Sequence, residues 1–183
     1  SYGCTSLSLT LDPRKSGILI FDEADPTALV PPVTTTGRPI SVAGWTRTLC
    51  ESSRYPDFER KQPVQLPDSL ASEYPGFSGF ARYESSFDLN EDGHLILEIT
   101  DAAEGVEVFL NGASAGIQIV PPYRYDLTSL SRSGRNELAI EVATTLERKY
   151  YELMKDDSLD VMRVLKALES ESGLTGRVRL LLQ

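Results

Sequence analysis

Apolar and polar residues alternate along most of this chain, and that period of two limits what it can fold into. Across 80–89, Ala81, Tyr83, Phe87 and Leu89 are apolar, while Arg82, Glu84, Ser86 and Asp88 are polar. Across 94–100, Leu95, Leu97 and Ile99 alternate with His94, Glu98 and Thr100, and only Ile96 breaks the pattern. The rhythm returns in Val106/Val108/Leu110, Tyr123/Tyr125/Leu127, Leu138/Ile140/Val142 and Val178/Leu180/Leu182. Successive side chains of a strand point to opposite faces, so each segment reads as a half-buried antiparallel strand. Turn chemistry separates the segments. Asn90-Glu91-Asp92-Gly93 links two of them, and Asn111-Gly112 carries the residues that a tight hairpin with positive φ demands. Many short strands at regular spacing predict an all-β fold, an antiparallel β-sandwich of jelly-roll type.

Two regions leave the rhythm. Residues 25–39 hold four prolines and one glycine and read as a linker. Ahead of it, Leu7, Leu9, Leu11 and Ile18–Phe21 read as a β-hairpin within 1–24, which closes an upstream module or packs onto the main sandwich. The sandwich itself is expected over 40–183. Near its end Val161, Leu165 and Leu168 fall on one helical face after Asp157-Ser158, which predicts a short inserted helix at about 158–170.

Charge narrows the partners. Asp plus Glu number 27 against 18 Lys plus Arg, a net charge of −9. The cations form no dense run, so nucleic acid and anionic membrane surfaces are not expected partners. No apolar stretch approaches the ~20 residues of a membrane-spanning helix. A neutral ligand such as carbohydrate remains open. The chain begins at Ser1 without a Met. It reads as a piece of something longer whose compartment it does not encode.

Catalytic equipment is sparse. Cys4, Cys50 and His94 are the only thiols and imidazole, scattered where a structural zinc site wants four paired ligands. Sequence leaves open whether the two cysteines meet. His94 follows Gly93 at a strand start, a poor setting for a nucleophilic triad. Asp88–Gly93 imitates the first half of a calcium loop, but Ile99 stands where the bidentate Glu belongs, so a β-turn is the better reading. Glycoside hydrolysis needs two carboxylates ~5 to 9.5 Å apart across a sugar. Glu84 and Glu98 sit at polar-face positions and read as solvated outer charge rather than as such a pair.

Four motifs in order carry a resemblance. Gly79-Phe80-Ala81-Arg82-Tyr83 fits G-x-A-x-Y, and Val106–Gly112 fits V-x-V-x-x-N-G. Pro122–Thr128 fits P-Y-x-x-D-x-T, and Gly134–Leu138 fits G-x-N-x-L. Together, 74–145 resembles the sugar-binding, galactose-binding-like jelly roll of family 2 and rhamnosidase-type glycoside hydrolases. The tail Gly173-Leu174-Thr175-Gly176-Arg177-Val178 is similar to the closing strand, with Arg177 where Pro is usual. The resemblance implies a non-catalytic accessory module of a larger bacterial glycosidase, secreted or periplasmic. Its partners would be glycan and the parent's catalytic domain. No cofactor is implied beyond a structural calcium, for which no ligands can be mapped. The alternatives are a purely structural inter-domain module and a small autonomous glycosidase.

Sugar binding uses aromatic platforms beside polar groups that satisfy hydroxyls. The candidates taken as exposed-loop residues are Trp45, Tyr55, Tyr74, Tyr123 and Arg124, with Phe58 and Phe77 beside them. The stretch 52–74, rich in Pro, Tyr and charge and without clean periodicity, is the first place to look.

Overall fold

The computed structural model describes residues 6, 9, 11, 14–18, 36–68, 70–154 and 171–183. The chain forms two compact units, Ser1–Pro32 and Val33–Gln183. In the first, Arg14 takes a left-handed φ of 65°, and Leu9, Leu11 and Ile18 are exposed. The rest of the expected hairpin, most of 25–39 and the whole helix predicted at 158–170 lie outside the described residues.

Among its described residues the second unit holds ten strands. They are β1 (Arg38–Ile40), β2 (Ala43–Glu51), β3 (Gln62–Pro63), β4 (Gly79–Leu89) and β5 (Leu95–Ile99), then β6 (Val106–Leu110), β7 (Ala113–Gln118), β8 (Tyr123–Asp126), β9 (Gly134–Ala143) and β10 (Val178–Leu182). Two antiparallel sheets result, of order β1-β10-β5-β8 and β3-β2-β4-β9-β6-β7. The six alternating segments between 80 and 182 each coincide with a strand. Asn111 and Gly112, at φ 53° and 84°, turn the β6–β7 hairpin. Asn90–Gly93 instead carries the chain from β4 in one sheet to β5 in the other.

The sheets face each other across one core. Tyr83, Phe87, Val108 and Ile140 of the six-stranded sheet share a buried cluster with Leu95, Leu97, Tyr125 and Leu180 of the four-stranded one. This is the packing of a β-sandwich. Asp126 and Thr128 close the end of β8: Thr128 N–H donates to Asp126 Oδ1 at 2.9 Å, and Leu95 N–H donates to Thr128 Oγ1 at 3.0 Å.

The four-stranded sheet departs from simple alternation, because all five residues of β5 are buried. Ile96 and its cross-strand partner Leu181 are buried on the face turned away from the shared core. Glu98 lies on that same face and is only 2% exposed, which corrects the expectation of a solvated charge. Its carboxylate is held by Arg124 Nε at 2.9 Å and by Arg179 Nη2. Burial opposes its charge, but these two guanidinium groups outweigh it and hold the carboxyl below its ordinary pKa.

A helical turn, α1 (Leu70–Glu73), a longer helix, α2 (Glu147–Met154), and 3-10 turns at Ser52–Arg54 and Thr128–Leu130 complete the described part. The helix at 147–154 begins eleven residues before the one the spacing predicts.

Candidate functional site

The most informative polar residue of the core is Arg47. It lies on β2 at the same parity as Trp45 and Leu49, so its side chain is directed inward and is 3% exposed. A buried cation needs a partner. Arg47 Nη1 donates to both oxygens of Asp68 at 2.8 Å, and Nη2 donates to Glu73 at 2.5 Å. Tyr83, directly opposite Arg47 on β4, donates its hydroxyl to Asp68 Oδ2 at 2.6 Å and accepts Leu174 N–H at 3.2 Å. Burial alone would favour a neutral Arg47; the hydrogen bonds to Asp68 and Glu73 reverse this and raise its pKa. Burial and the adjacent Asp68 charge both push the Tyr83 hydroxyl above its ordinary value. The cluster ties the loop ahead of α1 and the segment ahead of β10 to the sheet.

This network fixes a groove. The Arg47 guanidinium lies 5.3 Å from the Tyr74 ring centroid, within cation–π range. Tyr74 N–H donates to Leu70 O, and Phe77 N–H donates to Tyr74 O, so the α1 turn and its extension hold both rings. They line a cleft of about 460 Å³ with Glu51, Glu59, Glu73 and Lys149. Ligand sites of roughly 300–1,000 Å³ that mix apolar faces with a few polar groups suit small molecules. The aromatic faces can stack on a sugar ring while the carboxylates and Lys149 satisfy hydroxyls.

A second groove, of about 350 Å³, crosses the outer face of the six-stranded sheet. Arg82 bonds Glu141 on the neighbouring strand, reaches Glu84 at 3.3 Å and lies over Phe109 at 5.1 Å. Lys61 pairs with Glu84 at 2.5 Å. Burial would raise the Glu84 pKa, but Lys61 and Arg82 together bring it below its ordinary value. Glu84 and Glu98 thus lie on the outer faces of opposite sheets and cannot flank one sugar.

The candidate residues divide by placement. Tyr74 and Phe77 come together in the 460 Å³ groove. Tyr55 is 47% exposed, stacks at 4.5 Å on Phe80 and at 6.0 Å on Phe58, and reaches Glu141 Oε2 at 3.3 Å. Trp45 packs half-buried against the core. Tyr123 is not on an exposed loop: at 1% exposure it belongs to the core, its hydroxyl donating to Glu104 O at 2.6 Å. Arg124 is half-buried on β8 against Glu98 rather than free on a loop. Cys50 is a free, buried thiol, while Cys4 lies outside the described residues. Among the described residues no three His, Cys, Asp or Glu side chains gather as a metal site.

Sequence reading missed the Arg47–Asp68–Tyr83 cluster, although a signal existed. Arg47 stands at core parity between Trp45 and Leu49, and a charge there implies a buried counter-charge.

No protein-family profile matches the chain, and no curated protein matches it. Solved structures do. A rhamnosidase from Novosphingobium sp. PP1Y matches at TM-score 0.64 and 22% identity, over 87% of this chain and 16% of that one. A β-glucuronidase from Bifidobacterium dentium, complexed with coumarin-3-O-glucuronide, matches at 0.57 and 19%, over 82% and 31%. An FMN-binding β-glucuronidase from Facaelibacterium prausnitzii L2-6 matches at 0.52 and 26%, over 75% and 21%. The chain therefore shares its fold with one part of each of these larger glycoside hydrolases and spans less than a third of their length.

Proposed function

We propose that this chain is a non-catalytic accessory module of a larger bacterial glycoside hydrolase, a galactose-binding-like jelly roll that meets glycan at the Tyr74–Phe77 groove. One observation carries the reading: 87% of this chain superposes on a portion amounting to only 16% of the rhamnosidase. The four ordered sequence motifs support it independently. Support for a non-catalytic role comes from the strand carboxylates. A general acid works with a raised pKa, whereas Glu84 and Glu98 are both lowered by neighbouring cations.

Calorimetric titration of the 183-residue chain against a panel of neutral and acidic oligosaccharides tests the binding half. The expected result is saturable heat with at least one glycan, weakened about tenfold or more by Tyr74→Ala, as loss of a stacking platform implies. Silence across the panel ends the glycan-binding reading. Turnover of chromogenic glycosides by the same chain ends the non-catalytic one.

A specific observation favours a second reading, a structural module mating with neighbouring domains. Leu146, just ahead of α2, and Tyr150 and Leu153 on it stand at i, i+4 and i+7, and they are 67%, 56% and 73% exposed. Under that reading the panel is silent, and the chain binds the catalytic domain of its parent instead.

A further inference from the structure

A third, smaller polar cavity, distinct from both grooves, lies where the start of α2 meets the segment ahead of β10. It measures about 40 Å³, and its lining includes Thr144, Thr145, Arg148 and Ser172. That is room for one small group, since a water occupies roughly 30 Å³ in the liquid. Two of its walls are unusual. Arg148 is 6% exposed and Ser172 4%. Arg148 Nη1 donates to Pro75 O at 3.3 Å, a long bond, while its Nε and Nη2 have no hydrogen-bond partner among the described residues. The Ser172 hydroxyl is buried and likewise without a partner among the described residues.

Buried donors left unsatisfied are rare, and a buried cation without a bonded anion is rarer. Burial lowers the Arg148 pKa, and the Glu147 charge offsets this only in part. Glu104, Glu147 and Glu171 also line the cavity but are exposed, and none accepts a bond from Nε or Nη2. The open donors are the two parallel N–H groups on the Nε–Nη2 edge of a guanidinium. That edge matches both oxygens of a carboxylate. A water would satisfy one N–H and leave the charge uncompensated.

We infer that the Arg148–Ser172 cavity is a binding site for a single carboxylate group, taken by the Nε–Nη2 edge of Arg148 with the Ser172 hydroxyl as third donor. Its volume admits the carboxylate head and excludes a sugar ring. The group can come from a free small carboxylate or from an acidic side chain of a neighbouring polypeptide segment. The exposed glutamates of the rim oppose any anion and weaken the binding of a free carboxylate.

The test titrates the full chain with ¹³C-formate, with acetate and with N-acetylglutamate amide, at constant ionic strength maintained with chloride. Formate line broadening and the thermal midpoint are followed together. Saturable broadening and a rising midpoint with formate and acetate are expected. Arg148→Gln should abolish both effects, and Ser172→Ala should weaken binding by about tenfold, the loss of one bond to a charged group. Tighter binding of N-acetylglutamate amide than of acetate assigns the site to a protein side chain; the reverse assigns it to a free carboxylate. Absence of saturation with all three ligands overturns the inference, as does an equal response to added chloride. Should Arg148→Gln fail to fold, Ser172→Ala decides alone, and unchanged formate binding in that variant overturns the assignment.

Discussion

Replacing Asp68 by Asn changes one atom in the core and tests the account of Arg47 directly. Both partners are almost fully sequestered, with 3% and 2% of their side chains exposed. Removing one member of a buried ion pair costs roughly 3–5 kcal/mol, because the other charge stays behind uncompensated. Glu73 moderates this. It remains bonded to Arg47 and is 55% exposed, so the low end applies, about 3 kcal/mol. The Tyr83 hydroxyl then donates to a neutral amide instead of a carboxylate, which adds about 1 kcal/mol. The sum, near 4 kcal/mol, is a large share of the roughly 5–15 kcal/mol that holds an ordinary domain together. In a chain of this length it lowers the thermal midpoint by about 10 °C. Urea unfolding at neutral pH measures it, followed by circular dichroism and by fluorescence of Trp45, the single tryptophan, which neighbours the site on β2. Coincidence of the two signals tests the two-state assumption for the second unit. A double-mutant cycle with Tyr83→Phe should return a coupling of about 1 kcal/mol or more, since both residues share the Asp68 Oδ2 contact. A loss below about 1 kcal/mol for Asp68→Asn, or a coupling indistinguishable from zero, would refute the view that this cluster is a stabilised buried pair.

Other perturbations address the sheets and the thiol. Glu98 titrates below its ordinary 4.5 in the folded chain, so its contribution is present above 4.5 and fades as pH falls through the lower folded value. Glu98→Gln should therefore cost about 1–2 kcal/mol at neutral pH, discounted because its two arginines are partly solvated, and flatten the acid limb of the stability profile; an unchanged limb counts against the pairing. A Cβ at Gly79 would stand 2.1 Å from the backbone oxygen of Cys50, so Gly79→Ala must force β2 and β4 apart. Chemical denaturation should show a loss of about 3 kcal/mol or more, and a loss within error of zero would mean that the strands do not approach this closely. Burial pushes the Cys50 thiol pKa upward at 1% exposure, so in a Cys4→Ser chain an aromatic disulfide reagent should react only on unfolding. Full modification of the native chain within minutes would contradict that placement.

The strands were legible because their physics is local. Alternation such as Ala81/Tyr83/Phe87/Leu89 needs only a two-residue period and one apolar side to declare itself. Asn111-Gly112 was legible for the same reason, since positive φ at both turn positions is a property of those residues alone. Ile96 gave a warning: the residue that broke the alternation marks the strand buried on both faces. The site was less legible. Of the aromatics singled out, Tyr74 and Phe77 reached one groove, whereas Tyr123 turned inward to bond Glu104 O. A tyrosine's polar tip lets it serve a core or a surface, and periodicity cannot tell which.

What the sequence determined by itself is the six alternating strands, the Asn111-Gly112 turn and the inward face of those strands, because these follow from residue-by-residue stereochemistry and burial of apolar area; the short strands β1 and β3 and the exposed β7 carry no such pattern. What only the tertiary structure decided is which charges meet. Asp68 finds Arg47 across 21 positions, Glu98 finds Arg179 across 81, and Arg148 is buried with two donors open. Such pairings depend on how the chain crosses between sheets and on how deeply each group is taken out of water, and neither quantity is written in a local window of residues.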